Sequence, residues 1–563
     1  MKQAKKIIAS IAVSILTNAC TFSEGSDSSY VAGTNSSIEE ESTEFRSKTI
    51  TWEGFGTGLS WWANNLGNVK ASRELFTDLL FNSEPVEGVA VGRNKYSLPG
   101  LGLNMARLDI GATGKLKHKL EHEGQERETC GDKTEVYPQD HNKEAHAHKF
   151  IEGFLRCKDT WDFENRNMGQ RLILREANTY LDEVQLVSHG SMWWMKDSSS
   201  SAGGTLVEDG EHLLAEYLLG TARNLNSLEK DKIWASKIKS IAPINEPSAD
   251  HFWQFPAIQE GTIVKIDKQH KLFQAFAEEE RQEEMEQLGL TLTGSDENDL
   301  QTALDNVEKV LSHDVVGRIQ VHSYYGLKPF LTDVLSDEEI DTIDVRQQLS
   351  EKVGKKDKSI WQTEYGDDDG SGIYLARSII ADINYLKASA WFYWQPVEPW
   401  TNWGFFNVYY EGANYGDPKA SSRSIYNINR KHWVMAHFSR YIKRGDSIFT
   451  QDSEEAVLTR SKTRSKEDKS QYTLVVYQNP GAEKTLELLI PEVTSGTIKL
   501  DETISRVSQL IKEAPQPQNQ MWQTLDKVNI QIPTLEFSQS GSLRVNLPAG
   551  KVDQIFSLRF HVS

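Results

Sequence analysis

The chain has 563 residues, of which 38% are hydrophobic and 25% are charged. This composition is that of a globular protein with one large domain and room for a smaller one. The formal net charge of −19 argues against a nucleic-acid-binding protein, which would present a basic surface.

The N-terminus has the pattern of an export signal. Lys2, Lys5 and Lys6 form a basic region, and residues 7–16 form an apolar stretch that is too short to span a bilayer. Cys20 follows small and polar residues, as in the signals of bacterial lipoproteins, so residues 1–20 predict export with Cys20 as a lipidation site. Ordinary secretory cleavage near this position is the alternative.

Residues 21–47 are rich in Ser, Gly, Glu and Asp, and this composition predicts a disordered tether. Order is expected from about residue 48. Lys115 to Lys149 is dense in Lys, Glu and His, which predicts a solvated insertion. A metal site is the weaker interpretation, because the histidines do not keep a ligand spacing on one clear element.

Strand-like and helical segments then alternate, which predicts a parallel sheet. Eight strand-like units lie between Phe55 and Gln395, and they indicate a (β/α)8 TIM barrel over residues 48–432. A doubly wound open sheet is the competing fold, but the phosphate-binding glycine turn typical of it is not evident. Helices are predicted at 211–225 and 267–287. The clearest strands are predicted at residues 102–107, 184–188, 238–244, 290–293, 319–321, 359–363 and 389–395.

Short strands separated by turn residues replace this pattern after about residue 433. They predict a β-sandwich domain over residues 433–563, which a strand near 48–53 can join. The clearest strands are expected at residues 456–459, 472–477, 543–547 and 555–560. Upstream, Cys130 and Cys157 can pair in an oxidising compartment or remain as two free thiols.

Two carboxylates end predicted strands of the barrel. Glu246 follows the strand at 238–244, and Glu364 follows the strand at 359–363. Parallel strands of a barrel deliver side chains to a ligand at their carboxyl ends, so the two side chains should meet. A pair of carboxylates is the minimum equipment for hydrolysing a glycosidic bond.

Several sequence blocks resemble glycoside hydrolase family 30, and within it the endo-β-1,6-galactanase group. They are Gly-Phe-Gly-Thr-Gly-Leu-Ser-Trp-Trp-Ala-Asn at 54–64, Asn-Glu-Pro at 245–247, Trp-Gln-Thr-Glu-Tyr-Gly at 361–366 with Asp-Gly-Ser-Gly at 369–372, and Phe-Ser-Arg-Tyr-Ile at 438–442. The resemblance covers nearly all of the chain after the tether. Asn-Glu-Pro alone is widespread, whereas the first and third blocks together are fairly specific.

The resemblance implies a retaining double displacement. Glu246 would be the general acid/base, Glu364 the nucleophile, and Asn245 the residue that binds the sugar 2-hydroxyl. No metal or organic cofactor is expected. A cation or a hydrogen-bond donor would help to keep the nucleophile ionised, and Arg107 and Tyr324 suit that role. A purely structural ion pair is the alternative for Arg107.

Many tryptophans lie near strand ends, where their rings can stack on the apolar faces of sugars. Trp361 and Trp391 lie within strands and are expected in the core. The candidates for substrate binding are Trp394 and one of Trp193 or Trp194, followed by Trp61 and Trp62, with Trp400 and Trp403 nearby.

The expected activity is endo-hydrolysis of β-1,6-linked galactan, such as arabinogalactan side chains, by an exported, monomeric protein that is secreted or lipid-anchored. The loop His189-Gly190-Ser191-Met192 lacks the proline common in related enzymes, which leaves the sugar open. The alternatives are the same machinery acting on β-1,6-glucan, xylan or another polysaccharide, and a surface glycan-binding lipoprotein without catalysis.

Overall fold

The computed structural model describes residues 49–114, 128–136, 147–164, 166–324, 342–399, 402–410, 423–462, 470–491, 493–510 and 521–563. The predicted export signal, Cys20, the tether, four of the five insertion histidines and Trp400 lie outside these residues. Within them, none of the helices combines the length and the apolar character needed to cross a membrane.

Eight parallel strands close into a barrel, which confirms the predicted fold class and excludes the open doubly wound sheet. Strand Gly54–Gly58 pairs with both Met105–Asp109 and Ala390–Tyr393, so the sheet has no free edge. The strands are β1 Gly54–Gly58, β2 Met105–Asp109, β3 Glu183–Val187, β4 Ile238–Ala242, β5 Thr291–Glu297, β6 Val316–His322, β7 Ser359–Glu364 and β8 Ala390–Tyr393.

The barrel interior holds polar side chains that are hydrogen-bonded across neighbouring strands. Gln185 on β3 donates to Ser240 on β4 at 3.1 Å, and Thr293 on β5 donates to Gln320 on β6 at 2.9 Å. Most buried polar groups in folded proteins are paired in this way. These bonds hold the strands in register below the ends that carry the candidate site.

Helices follow the strands around the outside of the barrel. They are Trp62–Leu66 and Lys70–Leu80, Met168–Ala177, Gly210–Ser227 and Lys232–Ala235, Asp250–Trp253 with Ile266–Phe276 and Glu279–Leu288, Leu300–Val310, Thr342–Gly354, Ile373–Asn384 and Lys431–Ser439. The single helix predicted at 267–287 is wrong, because the backbone is extended at Glu278 and divides it into two helices.

The insertion after β2 is crosslinked. Cys130 and Cys157 form a disulfide that joins two short hairpins. Of the two possibilities left open by the sequence, the structure therefore shows the paired form, which is the form expected in an oxidising compartment.

The C-terminal part of the chain forms two antiparallel sheets around their own apolar core. The N-terminal strand Thr49–Thr51 joins the larger sheet beside strand Ser447–Phe449. The strands are β9 Ser447–Phe449, β10 Ala456–Arg460, β11 Gln471–Gln478, β12 Lys484–Leu488, β13 Ile498–Leu500, β14 Arg506–Gln509, β15 Gln523–Thr524, β16 Thr534–Phe537, β17 Leu543–Leu547 and β18 Gln554–Val562.

Helix Lys431–Ser439 connects the two parts of the chain, so the boundary expected at residue 433 falls inside a helix. It packs against barrel helix Ile373–Asn384 and against β14 and β18. The buried ring of His437 lies 2.5 Å from Ser557 Oγ and 2.8 Å from Ser508 Oγ, so its two nitrogens contact two strands of the side domain.

Candidate active site

Glu246 and Glu364 meet at the carboxyl ends of the barrel strands. A carboxylate oxygen of each residue and a ring nitrogen of His322 lie within 4.8 Å of one another. Both carboxylates are almost fully buried, at 8% and 3% exposure. The strand ends thus bring together the two residues that the sequence pattern singled out.

Glu364, the last residue of β7, has a different partner on each oxygen. The hydroxyl of Tyr324 donates to Oε1 at 2.6 Å, and Nη1 of Arg107 lies 3.3 Å from Oε2. Burial and the neighbouring charge of Glu246 raise the pKa of Glu364, while His322 and Arg107 lower it and so oppose this shift. The carboxylate is fixed in position by donors that favour its ionised form.

Arg107 on β2 links four strands of the barrel. Its guanidinium donates to Gln185, to the carbonyl of Thr363 at 3.1 Å, and to Asp296 at 2.5 Å, in addition to its contact with Glu364. The sequence left two roles open for this residue, support of Glu364 and a structural ion pair, and the geometry provides both contacts at once.

Asp296 lies within β5, next to its last residue, and accepts the hydroxyl of Thr363 at 2.7 Å as well as the Arg107 contact. Burial raises the pKa of Asp296, but Arg107 and His322 outweigh it, and the net pKa lies well below the usual range. Asp296 therefore remains negatively charged at neutral pH, in contact with Arg107 and His322.

His322, the last residue of β6, is surrounded by three carboxylates. Nδ1 lies 3.1 Å from Glu246 and 3.7 Å from Glu364, and Nε2 lies 3.3 Å from Asp296. Burial lowers the pKa of His322, but the charges of Glu364 and Asp296 outweigh burial and raise the pKa to about 10. At neutral pH the ring is therefore an imidazolium that compensates the acidic cluster.

The stabilisation contributed by His322 should depend on pH. Because its pKa is raised from about 6.5 in the unfolded chain to about 10 when folded, its contribution is complete below pH 6.5 and is lost as the pH rises through 10. We expect His322→Gln to lower the melting temperature most at pH 6, with a smaller difference from wild type at pH 10. A difference that grows with pH would contradict a charged His322.

Glu246, His322 and Glu364 are also the one set among the described residues whose spacing could hold a metal ion. A histidine must be neutral to bind a metal, however, and the raised pKa keeps His322 protonated. A metal ion at this position would therefore have to displace that proton.

An aromatic cluster lies beside the carboxylates. Trp394, which follows β8, packs edge-on against Trp61 with ring centroids 5.2 Å apart, and Ile151 and Tyr324 complete the cluster. The ring of His189 lies 5.0 Å from Trp394, and His189 Nδ1 is 3.4 Å from Asp109. Of the tryptophans expected at the site, Trp394 and Trp61 are therefore next to it.

The other tryptophan candidates are placed differently. Trp62 and Trp193 are fully buried in the main core, and Trp62 donates its indole N–H to Gly58. Trp194 is 4% exposed, and its indole N–H donates to the carbonyl of Leu155. These three rings therefore lie in the main core and not in the aromatic cluster beside the carboxylates. Trp361 and Trp391 are buried, as predicted.

The end of the insertion is not solvated, which corrects the expectation for His148 and Lys149. His148 packs against Trp61 and Tyr410, and the ammonium of Lys149 lies 4.9 Å from the Trp61 ring. Burial lowers the pKa of Lys149 to about 8, although the charge of Glu398 opposes this shift. His148 and Lys149 thus pack against the ring of Trp61.

Asn245 directly precedes Glu246 and is 4% exposed. Its backbone N–H donates to Ser188 at 2.9 Å, while its side-chain oxygen has no hydrogen-bond partner among the described residues. A buried amide oxygen without a partner is costly. It is therefore available to accept a hydrogen bond from a ligand hydroxyl.

Sequence reasoning missed Asp296 and His322 as site residues. Both lie at the carboxyl ends of strands, β5 and β6, and this position was the signal that could have identified them. Their importance comes from contacts with Arg107, Glu246 and Glu364 on other strands.

The chain is similar in sequence to a curated protein. The chain is 25% identical over 418 residues to an endo-β-1,6-galactanase of Hypocrea rufa, covering 71% of this chain and 74% of the relative. A scan against protein-family models found no match. The match agrees with the group indicated by the sequence blocks.

Solved structures share the fold. A conserved exported protein of Bacteroides fragilis has a TM-score of 0.59 at 15% identity, covering 90% of this chain and 98% of that protein. The catalytic domain of the family 30 xylanase C of Talaromyces cellulolyticus has a TM-score of 0.55 at 15% identity, covering 92% and 99%. With the galactanase match, these similarities confirm the resemblance to glycoside hydrolase family 30 and its endo-β-1,6-galactanase-like group.

Proposed function

We propose that this glycoside hydrolase is a retaining, endo-acting enzyme that cleaves β-1,6-linked galactan. The observation that carries the proposal is that one carboxylate oxygen of Glu246 lies within 4.8 Å of one carboxylate oxygen of Glu364. Retention requires carboxyl groups about 5–5.5 Å apart, whereas inversion requires about 6.5–9.5 Å to admit a water molecule between them.

In the proposed first step, Glu364 attacks the anomeric carbon while Glu246 donates its proton to the glycosidic oxygen. The bond to the leaving sugar breaks, and a covalent glycosyl-enzyme forms. Tyr324 and Arg107 aim the attacking carboxylate, since each holds one of its oxygens. In the second step, Glu246 removes a proton from water, which attacks the same carbon and releases Glu364.

The charged groups around the pair support this division of roles. Arg107 and His322 place positive charge beside Glu364, which favours the ionised nucleophile. Asp296 offsets part of that charge and holds Arg107 in place. Because these groups are buried, they are oriented before the substrate binds, which is the condition for electrostatic catalysis.

Side chains close to the two carboxylates would contact the sugar in the cleft. Asn245 offers its side-chain oxygen to a hydroxyl, the 2-hydroxyl according to the family resemblance. Trp394 and Trp61 offer aromatic rings beside the carboxylates. The loop at His189, which departs from related enzymes, lies against Trp394 and would contribute to the choice of sugar.

We also propose that the protein is exported. The basic and apolar N-terminus supports export, with Cys20 as the lipid attachment point. The disulfide between Cys130 and Cys157 fits an oxidising compartment.

Product analysis on β-1,6-galactan, β-1,6-glucan and xylan tests the function, with wild type beside Glu364→Gln. We expect galactose oligomers from wild type on the galactan and none from the variant. Cleavage of another glycan, abolished by the same substitution, would support the proposed mechanism and contradict the proposed substrate. Binding without cleavage of any glycan would favour a non-catalytic glycan-binding protein.

A further inference from the structure

Three large apolar side chains are exposed within seven residues of the loop that begins at Glu246. Phe252, Phe255 and Ile258 are 36%, 42% and 37% exposed. We call these three side chains the 252–258 patch. Large aromatic side chains normally bury most of their surface, so such a concentration indicates a contact surface.

The patch is attached firmly to Glu246. The indole N–H of Trp253 donates to the carbonyl oxygen of Glu246 at 3.0 Å, and the backbone N–H of Ala249 donates to the same oxygen at 3.1 Å. Trp253 itself is buried against Gly261, where an added Cβ would lie 2.1 Å from the ring. The loop therefore buries the ring of Trp253 and leaves the rings of Phe252 and Phe255 exposed.

Further contacts hold the rest of the loop. The backbone N–H of Ala257 donates to Ala202 at 3.0 Å, and that of Gly261 donates to Ser201 at 3.2 Å. Strands Ala202–Thr205 and Gly261–Ile263 pair beneath the loop. The exposed side chains of the patch thus lie on a loop whose backbone is held in place by several hydrogen bonds.

The position relative to Glu246 indicates which part of a substrate the patch would meet. In the proposed mechanism Glu246 protonates the leaving oxygen, so it lies beside the sugar that departs. The helix Asp250–Trp253 begins four residues after Glu246 and is bonded to its carbonyl. The patch therefore borders the leaving-group half of the cleft.

The chemistry of the patch fits an uncharged sugar. Residues 248–262 contain no Lys or Arg, and the ammonium of Lys265, which follows them, is paired with Asp250 of the loop at 3.1 Å. The loop therefore offers no unpaired cation to an acidic polymer. The apolar faces of sugar rings stack on aromatic side chains, while His251 and Gln254, both exposed, can meet hydroxyl groups.

We propose that Phe252, Phe255 and Ile258 bind neutral sugars of the glycan chain on the leaving-group side of the cleaved bond. This rests on the proposed function and extends it, because it assigns a binding surface for several sugars beyond the reacting one. Such a surface favours cleavage within long chains, since a short leaving group cannot reach it.

The test compares long and short leaving groups in the double variant Phe252→Ala/Phe255→Ala. On the polysaccharide that wild type cleaves, we expect kcat/KM to fall about tenfold, mainly through KM, because two stacking rings are lost. On an aryl glycoside with the same sugars on the non-leaving side, we expect a change of less than about twofold.

Two further variants separate this effect from damage to the fold. Phe252→Tyr/Phe255→Tyr keeps both rings and should retain most activity on the polysaccharide. Ile233→Ala removes another exposed apolar side chain, on helix Lys232–Ala235, and should leave both substrates unaffected. Melting temperatures of all variants should stay close to wild type, because the substituted side chains are exposed.

Three outcomes would overturn the proposal. They are unchanged activity of the alanine variant on the polysaccharide, an equal loss on both substrates, and a loss that follows the dissociation of a dimer built on the patch. Failure of the proposed function looks different, because wild type would then cleave no glycan at all.

Discussion

Replacing Glu364 with glutamine is expected to lower kcat by on the order of 10⁴-fold or more, as removal of a nucleophile does in other hydrolases. The amide has nearly the shape of the carboxylate and can still meet Tyr324, but it cannot attack an anomeric carbon. Because Glu364 is paired with Arg107 and His322, loss of its charge should lower the melting temperature, while the similar shape of glutamine keeps the chain folded. The measurements are kcat on the glycan and the melting temperature, which shows whether the variant is folded.

Chemical rescue identifies the role of Glu364 more sharply. In Glu364→Ala, azide can enter the space of the lost carboxylate, attack the anomeric carbon from the nucleophile's side, and give the α-glycosyl azide while Glu246 protonates the leaving oxygen. Recovery of activity with the β-azide as product would contradict the assignment of Glu364 as nucleophile.

Replacing Glu246 with glutamine should lower kcat for the natural glycan by about 10²–10⁴-fold, the usual contribution of general acid/base catalysis. Unlike Glu364→Gln, the loss should depend on the leaving group. An activated aryl group departs without a proton, so the glycosyl-enzyme still forms quickly and its hydrolysis becomes slow. Rates measured over a series of aryl leaving groups would show the dependence on the leaving group. A burst of released phenol would show that the first step is fast and the second is slow.

Glu297→Gln is the matched control, because Glu297 is another buried carboxyl in the same region. It accepts hydrogen bonds from Ser248, Gln269 and Asn306, and burial raises its pKa to about 6, although these bonds oppose the shift. We expect Glu297→Gln to keep the wild-type dependence on the leaving group. If it reproduced the behaviour of Glu246→Gln, the assignment of the acid/base would be wrong.

The barrel and its two carboxylates could be predicted because both depend on local patterns. Strands that alternate with helices indicate a parallel sheet, and a charged residue directly after an apolar strand marks the end where ligands bind. Glu246 and Glu364 satisfy that rule, whereas Arg107, expected at a strand end, lies in the middle of β2. The structure nevertheless brings all three together.

The charges around the pair could not be predicted in the same way. Asp296 and His322 also lie at strand ends, but their protonation states follow from partners on four different strands. Those distances are set by the closure of the barrel, and spacing along the chain does not contain them. A histidine with a pKa of about 10 is a property of the cluster.

The aromatic residues show a second limit. Trp62 and Trp61 are neighbours in sequence, yet Trp62 is fully buried in the core and Trp61 packs against Trp394 beside the carboxylates. The conformation of the turn, in which Trp61 has a positive φ, decides which ring packs beside the carboxylates. The 252–258 patch was missed for the related reason that exposure depends on packing, which composition does not reveal.

The most direct test of the central claim is to determine the anomeric configuration of the first product by proton NMR, before mutarotation changes it. The claim is that Glu246 and Glu364, within 4.8 Å of each other, perform a double displacement. It predicts that cleavage of a β-linked glycan releases the β-anomer first and that the α-anomer grows in only later. Initial release of the α-anomer would show a single displacement and would contradict the roles assigned to both carboxylates.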